Sequence, residues 1–196
     1  MKRVIVFIGL WVIVLPAVAA ADFFNQPQRL CSALAADGLH TSGWKSNKAG
    51  QGEWSCMTKF VPFGTAGANG MENNISFYVN GANSSRVKDI RIKVNINNAN
   101  ERNQAFTRLN SAARLLFKAI SQPIPPELSH AIAQQAPATI NAPFGKIELI
   151  FKPGQMDSVK VVLAISPQPL SSKKRAGGGF ISRLDNRFLT QYVSSQ

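Results

Sequence analysis

The stretch IRIKVNINNANERNQAFTRLNSAARLLFKAI, residues 90–120, decides the fold class, because a strand pattern in it passes directly into a helix pattern. In residues 90–96, aliphatic side chains occupy every second position and alternate with Arg91, Lys93 and Asn95. A period of two places alternate side chains on opposite faces of a strand. The pattern therefore predicts a half-buried strand whose outer face is polar and basic.

The second part of this stretch has the pattern of an amphipathic helix. The Asn-rich residues 97–100 favour capping at its start, and Pro123 ends it. Apolar side chains recur at spacings of three and four and form one continuous stripe. The stripe predicts a helix over about residues 101–120 with one buried face, made of Ala105, Phe106, Leu109, Ala112, Ala113, Leu116, Phe117 and Ile120.

Four further strands and two shorter helices are predicted before and after this strand and helix. One helix begins at Pro27 and ends near Gly38, and another lies between Pro125 and Pro137. The order α-β-β-β-α-α-β-β sets strands beside strands instead of alternating them with helices. We therefore predict an α+β fold, in which an antiparallel sheet of about five strands carries helices packed on one face. Strand-like runs lie at residues 54–60, 75–79, 90–96, 147–151 and 159–165.

The first 21 residues have the segment order of a secretory signal peptide. Lys2 and Arg3 form a short basic region, residues 4–15 form an uncharged apolar run, and small residues follow at 17–21. These twelve apolar residues are fewer than the roughly 20 that a membrane-spanning helix needs. We expect cleavage near Ala21, a periplasmic or secreted protein, and no transmembrane segment once the signal peptide is removed.

The chain length predicts one domain followed by a tail. Removal of the signal peptide leaves about 175 residues, which suits a single domain with its own core. Two prolines follow the last predicted strand, and the sequence after them is rich in Ser, Lys and Gly. We predict a signal peptide at 1–21, a single α+β domain at 22–169, and a flexible linker with a basic amphipathic tail at 170–196.

Cys31 and Cys56 are the two cysteines of the chain, and secretion to an oxidising compartment favours their pairing. Their disulfide would join the first helix to the first strand. A closed loop of this length stabilises a fold by about 3.5 kcal/mol in the chain-entropy model. The alternative, a pair of metal-binding thiolates, has less support because no His or second Cys pair lies at zinc-site spacing.

The charge balance favours an anionic partner. The chain has 22 Lys and Arg against 10 Asp and Glu, and loss of Lys2 and Arg3 with the signal leaves 20, for a net charge of +10. Some cations occupy strand positions whose parity is opposite to that of the apolar side chains. The alternative is that such charges serve solubility and protect exposed strands from pairing. The candidate anion-binding face consists of Arg91, Lys93, Lys146 and Lys160.

A second basic segment, made of Lys173, Lys174 and Arg175, lies in the predicted linker and is a candidate tether to an anionic membrane. Aromatic residues do not interleave with these cations as they do in proteins that bind single-stranded nucleic acid, so we expect no nucleic acid partner. The partners that fit are an anionic envelope component or an acidic protein. The oligomeric state does not follow from the sequence.

The sequence lacks the motifs of the common catalytic chemistries. It has no Gly-x-Ser-x-Gly elbow and no His-Glu-x-x-His motif, and the Gly-rich residues 64–70 lack the Lys of a phosphate-binding loop. His40 and His130 are far apart, and the acidic residues are spread thinly. We predict no catalytic residue, metal or cofactor, and favour a non-enzymatic binding module. The alternative is a hydrolase of an envelope polymer whose carboxylates the fold brings together.

One order of residues between positions 30 and 165 is typical of a family. It runs Leu30-Cys31-Ser32-Ala33-Leu34, Gly38-Leu39, Trp44, Trp54-Ser55-Cys56, and then residues 91–96. In this order the chain resembles an uncharacterised family, a domain of unknown function found in secreted or membrane-anchored alphaproteobacterial proteins. The resemblance implies an envelope location, and it carries no activity and no functional residue.

Overall fold

The computed structural model describes residues 22–47, 53–154 and 158–168 of the 196-residue chain. In this part of the chain, three α-helices accompany a large antiparallel sheet. The helices are α1 (Pro27–Cys31), α2 (Arg102–Ala119) and α3 (Pro126–Ala133). The strands are β1 (Lys45–Ser46), β2 (Trp54–Met57), β3 (Val61–Phe63), β4 (Asn73–Gly81), β5 (Val87–Ile96), β6 (Ala138–Ala142), β7 (Gly145–Pro153) and β8 (Val159–Ser166).

The eight strands are arranged in the order β1-β2-β4-β5-β8-β7-β6, and β3 pairs with β4 outside this path. Every strand pair is antiparallel. The long strands β4, β5, β8 and β7 therefore lie side by side at the centre of the sheet. Their register decides which side chains of distant segments become neighbours.

The α2 helix packs against β5, as the adjoining strand and helix patterns indicate. Asn98 caps the 3-10 turn Ala99–Glu101 that leads into α2, by accepting a hydrogen bond from the Asn100 N–H at 3.1 Å, whereas α2 itself has Glu101 at its cap position and no side-chain cap. Leu109, Ala112 and Leu116 on its stripe are almost completely buried. We call the side of the sheet that meets α2 the core face, and the opposite side the outer face.

The core face consists of the alternate strand positions that the sequence predicts to be apolar. They are fully or almost fully buried, whereas the residues between them point to the outer face. An alternating strand with one covered face is what an antiparallel sheet with helices on a single side requires. The core-face residues of the central strands are Ile75, Phe77, Val79, Ile90, Ile92, Val94, Ile96, Ile147, Leu149, Val161, Leu163 and Ile165.

Cys31 at the end of α1 and Cys56 on β2 form a disulfide, which confirms the predicted pairing. Both residues are buried, as are Phe23 and Phe24 in the turn before α1. The Phe23 ring also lies 5.8 Å from the Phe144 ring at the far end of the sheet. The N-terminal segment therefore belongs to the core and is fixed to it both covalently and by packing.

The structure confirms the α+β class and corrects the strand count and the order of elements. All five predicted strands are present, but the sheet has three more, so it has eight strands and not five. The missed strands are short: β1 has two residues, β3 has three and carries Pro62, and β6 has five. β1 and β3 are too short to show an apolar alternation, whereas β6 does alternate in sequence, from Ala138 to the buried Ala142.

Two boundaries also differ from the predictions. The first helix ends at Cys31, and a separate 3-10 turn, Ala35–Asp37, leads to Gly38, whose φ of 77° is the predicted left-handed end. The strand predicted at 75–79 is longer than expected, because β4 runs from Asn73 to Gly81. The predicted signal peptide at 1–21 and the predicted tail at 170–196 lie outside the described residues. Among the helices that are described, none is long and apolar enough to cross a bilayer.

Candidate functional site

The outer face of the central strands forms a groove with a volume of about 940 Å³. Its walls and floor come from β4, β5, β8 and β7, together with the connection between β4 and β5. The four cations predicted from strand parity all lie on this outer face. Arg91 is opposite Ala164, Lys93 is opposite Val162, and Lys160 is opposite Asn95. Lys146 is opposite Ser166 and lies outside the lining of the groove.

Two of the four cations are neutralised by carboxylates on their own strands. Arg91 Nε lies 2.7 Å from Asp89 Oδ1, and Lys146 Nζ lies 2.6 Å from Glu148 Oε1. Asp89 is also held by Asn80, whose Nδ2 donates to Oδ1 at 2.8 Å. Each pair joins positions two residues apart, which share one face of a strand. Arg91 and Lys146 are therefore less available to an added anion than the sequence indicates.

A third lysine, Lys152, lies near the other two cations, Lys93 and Lys160. The sequence pattern did not predict Lys152 as part of the anion-binding face. Lys152 lies directly opposite Lys160 in the ladder between β7 and β8. Lys93 lies on β5 in the next row, diagonal to Lys160, a position about 7–8 Å away. The strand prediction ended at Phe151, whereas β7 continues to Pro153 and carries Lys152 onto the outer face. We call Lys93, Lys152 and Lys160 the lysine cluster.

The electrostatic environment of the lysine cluster is repulsive. Within the described residues, no carboxylate lies within 4 Å of any of its three amino groups. Burial lowers the pKa of Lys93, and the positive charge of Lys160 lowers that pKa further. Like charges directly opposite each other on neighbouring strands destabilise a sheet. An anion that contacts all three lysines would relieve this repulsion.

The floor of the groove beside the lysine cluster is apolar. Val162 and Ala164 on β8 point to the outer face and are half-buried, and Ile150 lies directly opposite Val162 on β7. Phe60 projects next to the cluster with 57% of its surface exposed, and Lys93 Nζ lies 5.1 Å from the centre of its ring. The groove thus joins a cluster of cations to a strip of aliphatic side chains.

Positive charges dominate the lining as a whole. The lining contains six cations and two carboxylates, Asp89 and Glu148. Each of the two carboxylates forms an ion pair with a cation on its own strand. The low-dielectric walls of a cleft lined by one sign of charge raise the local concentration of ligands of the opposite sign. The six cations are Arg86, Lys88, Arg91, Lys93, Lys152 and Lys160.

Groups that would serve catalysis or hold a metal do not converge in the described residues. No three His, Cys, Asp or Glu side chains there are placed to hold a metal ion. His40 and His130 are both exposed, and neither lines the groove. Asp89 and Glu148 lie on strands separated by β8 and are offset by two residues, which puts their Cα atoms roughly 12 Å apart. The second predicted basic segment, Lys173, Lys174 and Arg175, lies outside the described residues.

Comparison with known proteins gives one match. A family model described as a family of unknown function, DUF6030, matches residues 13–183. No curated protein and no solved structure matches the chain. The matched region contains the whole sheet, all three helices and both cysteines, and extends past the predicted domain at either end.

Proposed function

This chain belongs to the family of unknown function DUF6030, and we propose that it is a non-enzymatic binding module that holds an anionic envelope component on the outer face of its sheet. One observation carries the proposal. Lys93, Lys152 and Lys160 converge at one end of a groove, and no carboxylate of the described residues pairs with them. The other two predicted cations, Arg91 and Lys146, play a smaller part because Asp89 and Glu148 neutralise them.

The lysine cluster lowers the stability of the sheet. A sheet gains nothing from setting Lys152 opposite Lys160, and an opposite-charge pair at those positions would stabilise it. Lys93 is also partly desolvated, which disfavours its charged form. An arrangement that costs folding energy and concentrates positive charge in a concave site is typical of a ligand-binding site. An acidic protein is the second partner class that this charge admits.

A location outside the cytoplasm is part of this proposal. The disulfide between Cys31 and Cys56 fits an oxidising compartment such as the periplasm or the cell exterior. The segment order of residues 1–21 favours export by a signal peptide. Anionic lipids and glycans of the envelope are the abundant polyanions in that compartment, and they suit a protein with excess positive charge.

The alternative, a hydrolase of an envelope polymer, has weaker support from the same geometry. Glycosidases use a facing pair of carboxyl groups about 5–9.5 Å apart, whereas Asp89 and Glu148 lie on strands separated by β8, with their Cα atoms roughly 12 Å apart. Each carboxylate also forms an ion pair with a cation on its own strand, Asp89 with Arg91 and Glu148 with Lys146. Both carboxylates are therefore already engaged by cations of the same sheet face.

The test uses the chain from Asp22 to Gln196 and vesicles of phosphatidylglycerol, with phosphatidylcholine vesicles for comparison. We expect binding to the anionic vesicles that weakens at high salt, because exposed charges are screened beyond about 8 Å at physiological ionic strength. Replacing Lys93, Lys152 and Lys160 together by Gln should remove most of this binding.

The matched control replaces three exposed cations outside the groove, Lys45, Arg114 and Lys118, by Gln. It loses the same net charge and should keep most of the binding. If the two triple variants bind alike, overall charge accounts for the binding and the lysine cluster is ordinary solvated surface. Circular dichroism and thermal unfolding of both variants verify that the fold is intact.

A further inference from the structure

We propose that the groove takes a single-chain anionic amphiphile, with its head group among Lys93, Lys152 and Lys160 and its alkyl chain along β8. This inference rests on the proposed function, because it names the ligand class of the same groove. It goes further by giving a role to the apolar floor, which charge alone does not explain. The head group is a phosphate, sulfate or carboxylate, the anions that lysine ammonium groups bind.

The outer face of β8 changes from charged to apolar along the strand. Its outward positions begin with the charged Lys160 and continue with the aliphatic Val162 and Ala164. The solvated face of an antiparallel sheet ordinarily carries polar side chains at such positions. Ile150 extends the apolar strip onto β7 by facing Val162 across the ladder. The central strip of the outer face is therefore apolar where solvent contact alone would favour polar residues.

The dimensions suit a small amphiphile. At about 3.3 Å per residue, Ala164 lies about 13 Å from Lys160 along β8, so a head group at Lys160 leaves room for an alkyl chain over Val162 and Ala164. The groove volume of about 940 Å³ lies within the range of about 300–1,000 Å³ that small-molecule sites occupy. Charge at one end and an apolar floor beyond it match a molecule with a charged head and a tail.

Other occupants fit the groove less well. The segment 169–196 carries five Lys and Arg against one Asp, so the lysine cluster repels it, and a second copy of the chain presents the same positive face. An acidic peptide would satisfy the lysines, but an extended peptide also needs partners for its main-chain N–H and C=O groups. Sheet edges offer such partners, whereas the face of a sheet offers side chains only.

The experiment is calorimetric titration of the chain from Asp22 to Gln196 with ethyl, octyl and dodecyl phosphate, each as a monomer in solution. We expect affinity to rise about twofold to fourfold per methylene, the range for partial to full burial of a group worth about 0.8 kcal/mol. Val162→Asn should weaken the binding of dodecyl phosphate at least tenfold and leave the affinity for ethyl phosphate unchanged. Val162→Ile is the control, because it keeps the floor of the groove apolar. Lys152→Gln should weaken the binding of all three phosphates.

The possible outcomes separate this inference from the proposed function. Equal affinity for the three phosphates would contradict the proposed amphiphile site and would still agree with an anion-binding site at the lysine cluster. Failure of all three phosphates and of anionic vesicles to bind overturns both proposals. Dodecyl maltoside, which is uncharged, should bind far more weakly than dodecyl phosphate, and equal binding contradicts the inference. Tighter binding of a glutamate-rich peptide that displaces dodecyl phosphate also contradicts it and assigns the groove to an acidic protein.

Discussion

Lys152 on β7 lies directly opposite Lys160 on β8, so two like charges occupy facing positions of one strand ladder. Replacing Lys152 by Glu converts this repulsive pair into an attractive one. We predict that Lys152→Glu raises the free energy of unfolding by about 1 kcal/mol, near the upper end for a cross-strand pair. The same change should weaken binding to anionic vesicles at least about tenfold, equivalent to about 1.4 kcal/mol.

Urea denaturation and vesicle binding measure these two opposite effects on one variant. Arg114→Glu is the control, because it makes the same charge change at an exposed position of α2, outside the groove. It should change neither stability nor binding strongly. A Lys152→Glu variant that is less stable than the parent, or that binds as the parent does, would contradict the proposal. In that proposal the lysine cluster lowers the stability of the sheet and binds the anion.

The titration of Lys93 gives a second prediction. Burial and the charge of Lys160 both hold its pKa below the usual value of 10.5. We predict that Lys160→Gln raises the pKa of Lys93 towards, but not up to, that value, because burial remains. Nuclear magnetic resonance of the side-chain Cε and Nζ nuclei measures the shift. Lys118→Gln on α2 is the control, and an equal shift in that variant would refute the assignment to Lys160.

The sign of the linked stability follows from the same pKa. Between the lowered pKa of Lys93 and 10.5, the unfolded chain keeps the proton that the folded chain has lost. The contribution of Lys93 to the free energy of unfolding therefore increases with pH across that window and is constant below it. Lys160→Gln should reduce the increase, and bound phosphate should raise the pKa of Lys93 by favouring its charged form.

The parity of the strands could be predicted from the sequence, whereas the lysine cluster could not. The alternation in residues 90–96 correctly placed Arg91 and Lys93 on one face, because that face depends only on a period of two. The facing positions of Lys152 and Lys160 depend on how β7 and β8 align across a loop, and side-chain pattern alone does not set that register. The end of β7 was also missed, because turn-forming Pro153 and Gly154 follow Lys152.

The ion pairs on the outer face were available from the sequence and were overlooked. Asp89 and Arg91 are two residues apart on one strand, as are Lys146 and Glu148. Positions two apart share a face, so each carboxylate was a foreseeable partner. The short strands β1 and β3 are a different case, because they have only two and three residues and carry no strong pattern of their own.

The disulfide gives a third prediction. It closes a loop between residues separated by 25 positions and joins α1 to β2. We predict that replacing both cysteines by Ala lowers the free energy of unfolding by about 3.5 kcal/mol, the chain-entropy value for such a loop. Denaturation of the variant and of the oxidised parent measures the difference. Two alkylatable thiols in the native protein isolated without reductant would contradict the presence of this bond.

A fourth prediction concerns Glu101, which connects the loop after β3 to the start of α2. Its carboxylate accepts hydrogen bonds from the Thr65 hydroxyl at 2.7 Å, from the Thr65 N–H at 3.0 Å, and from Asn73 Nδ2 at 3.2 Å. The bond from the Thr65 hydroxyl, followed by that from its N–H, lowers the pKa of Glu101 below its usual value of 4.5.

When a carboxyl group has a lower pKa in the folded chain than in the unfolded chain, it stabilises the fold. This stabilisation is complete at a pH above the pKa of the unfolded chain and is lost as the pH falls through the pKa of the folded chain. We predict that Glu101→Gln is less stable than the parent at pH 7, and that the two converge as the pH falls below 4.5. Urea denaturation over that range measures the convergence. Glu127→Gln, at an exposed position of α3, is the control, and a pH-independent deficit in Glu101→Gln would contradict the assignment.

The last prediction compares two glycines of the loop between β3 and β4, Gly64 and Gly70. Both have positive φ, 77° and 73°, so alanine is strained at either position, at a cost of about 1–2 kcal/mol. They differ in their surroundings, because a Cβ on Gly64 would overlap the Glu101 carboxylate, whereas a Cβ on Gly70 would meet nothing within 4 Å. We predict that Gly70→Ala shows the backbone cost alone and that Gly64→Ala is more destabilised. In a Glu101→Ala background this overlap is removed and only the tight approach of Gln104 Oε1 at 3.1 Å remains, so the cost of Gly64→Ala should fall towards that of Gly70→Ala. Denaturation of this double-mutant cycle isolates the contact, and equal costs for the two glycines in the parent would show that the loop does not close tightly on Glu101.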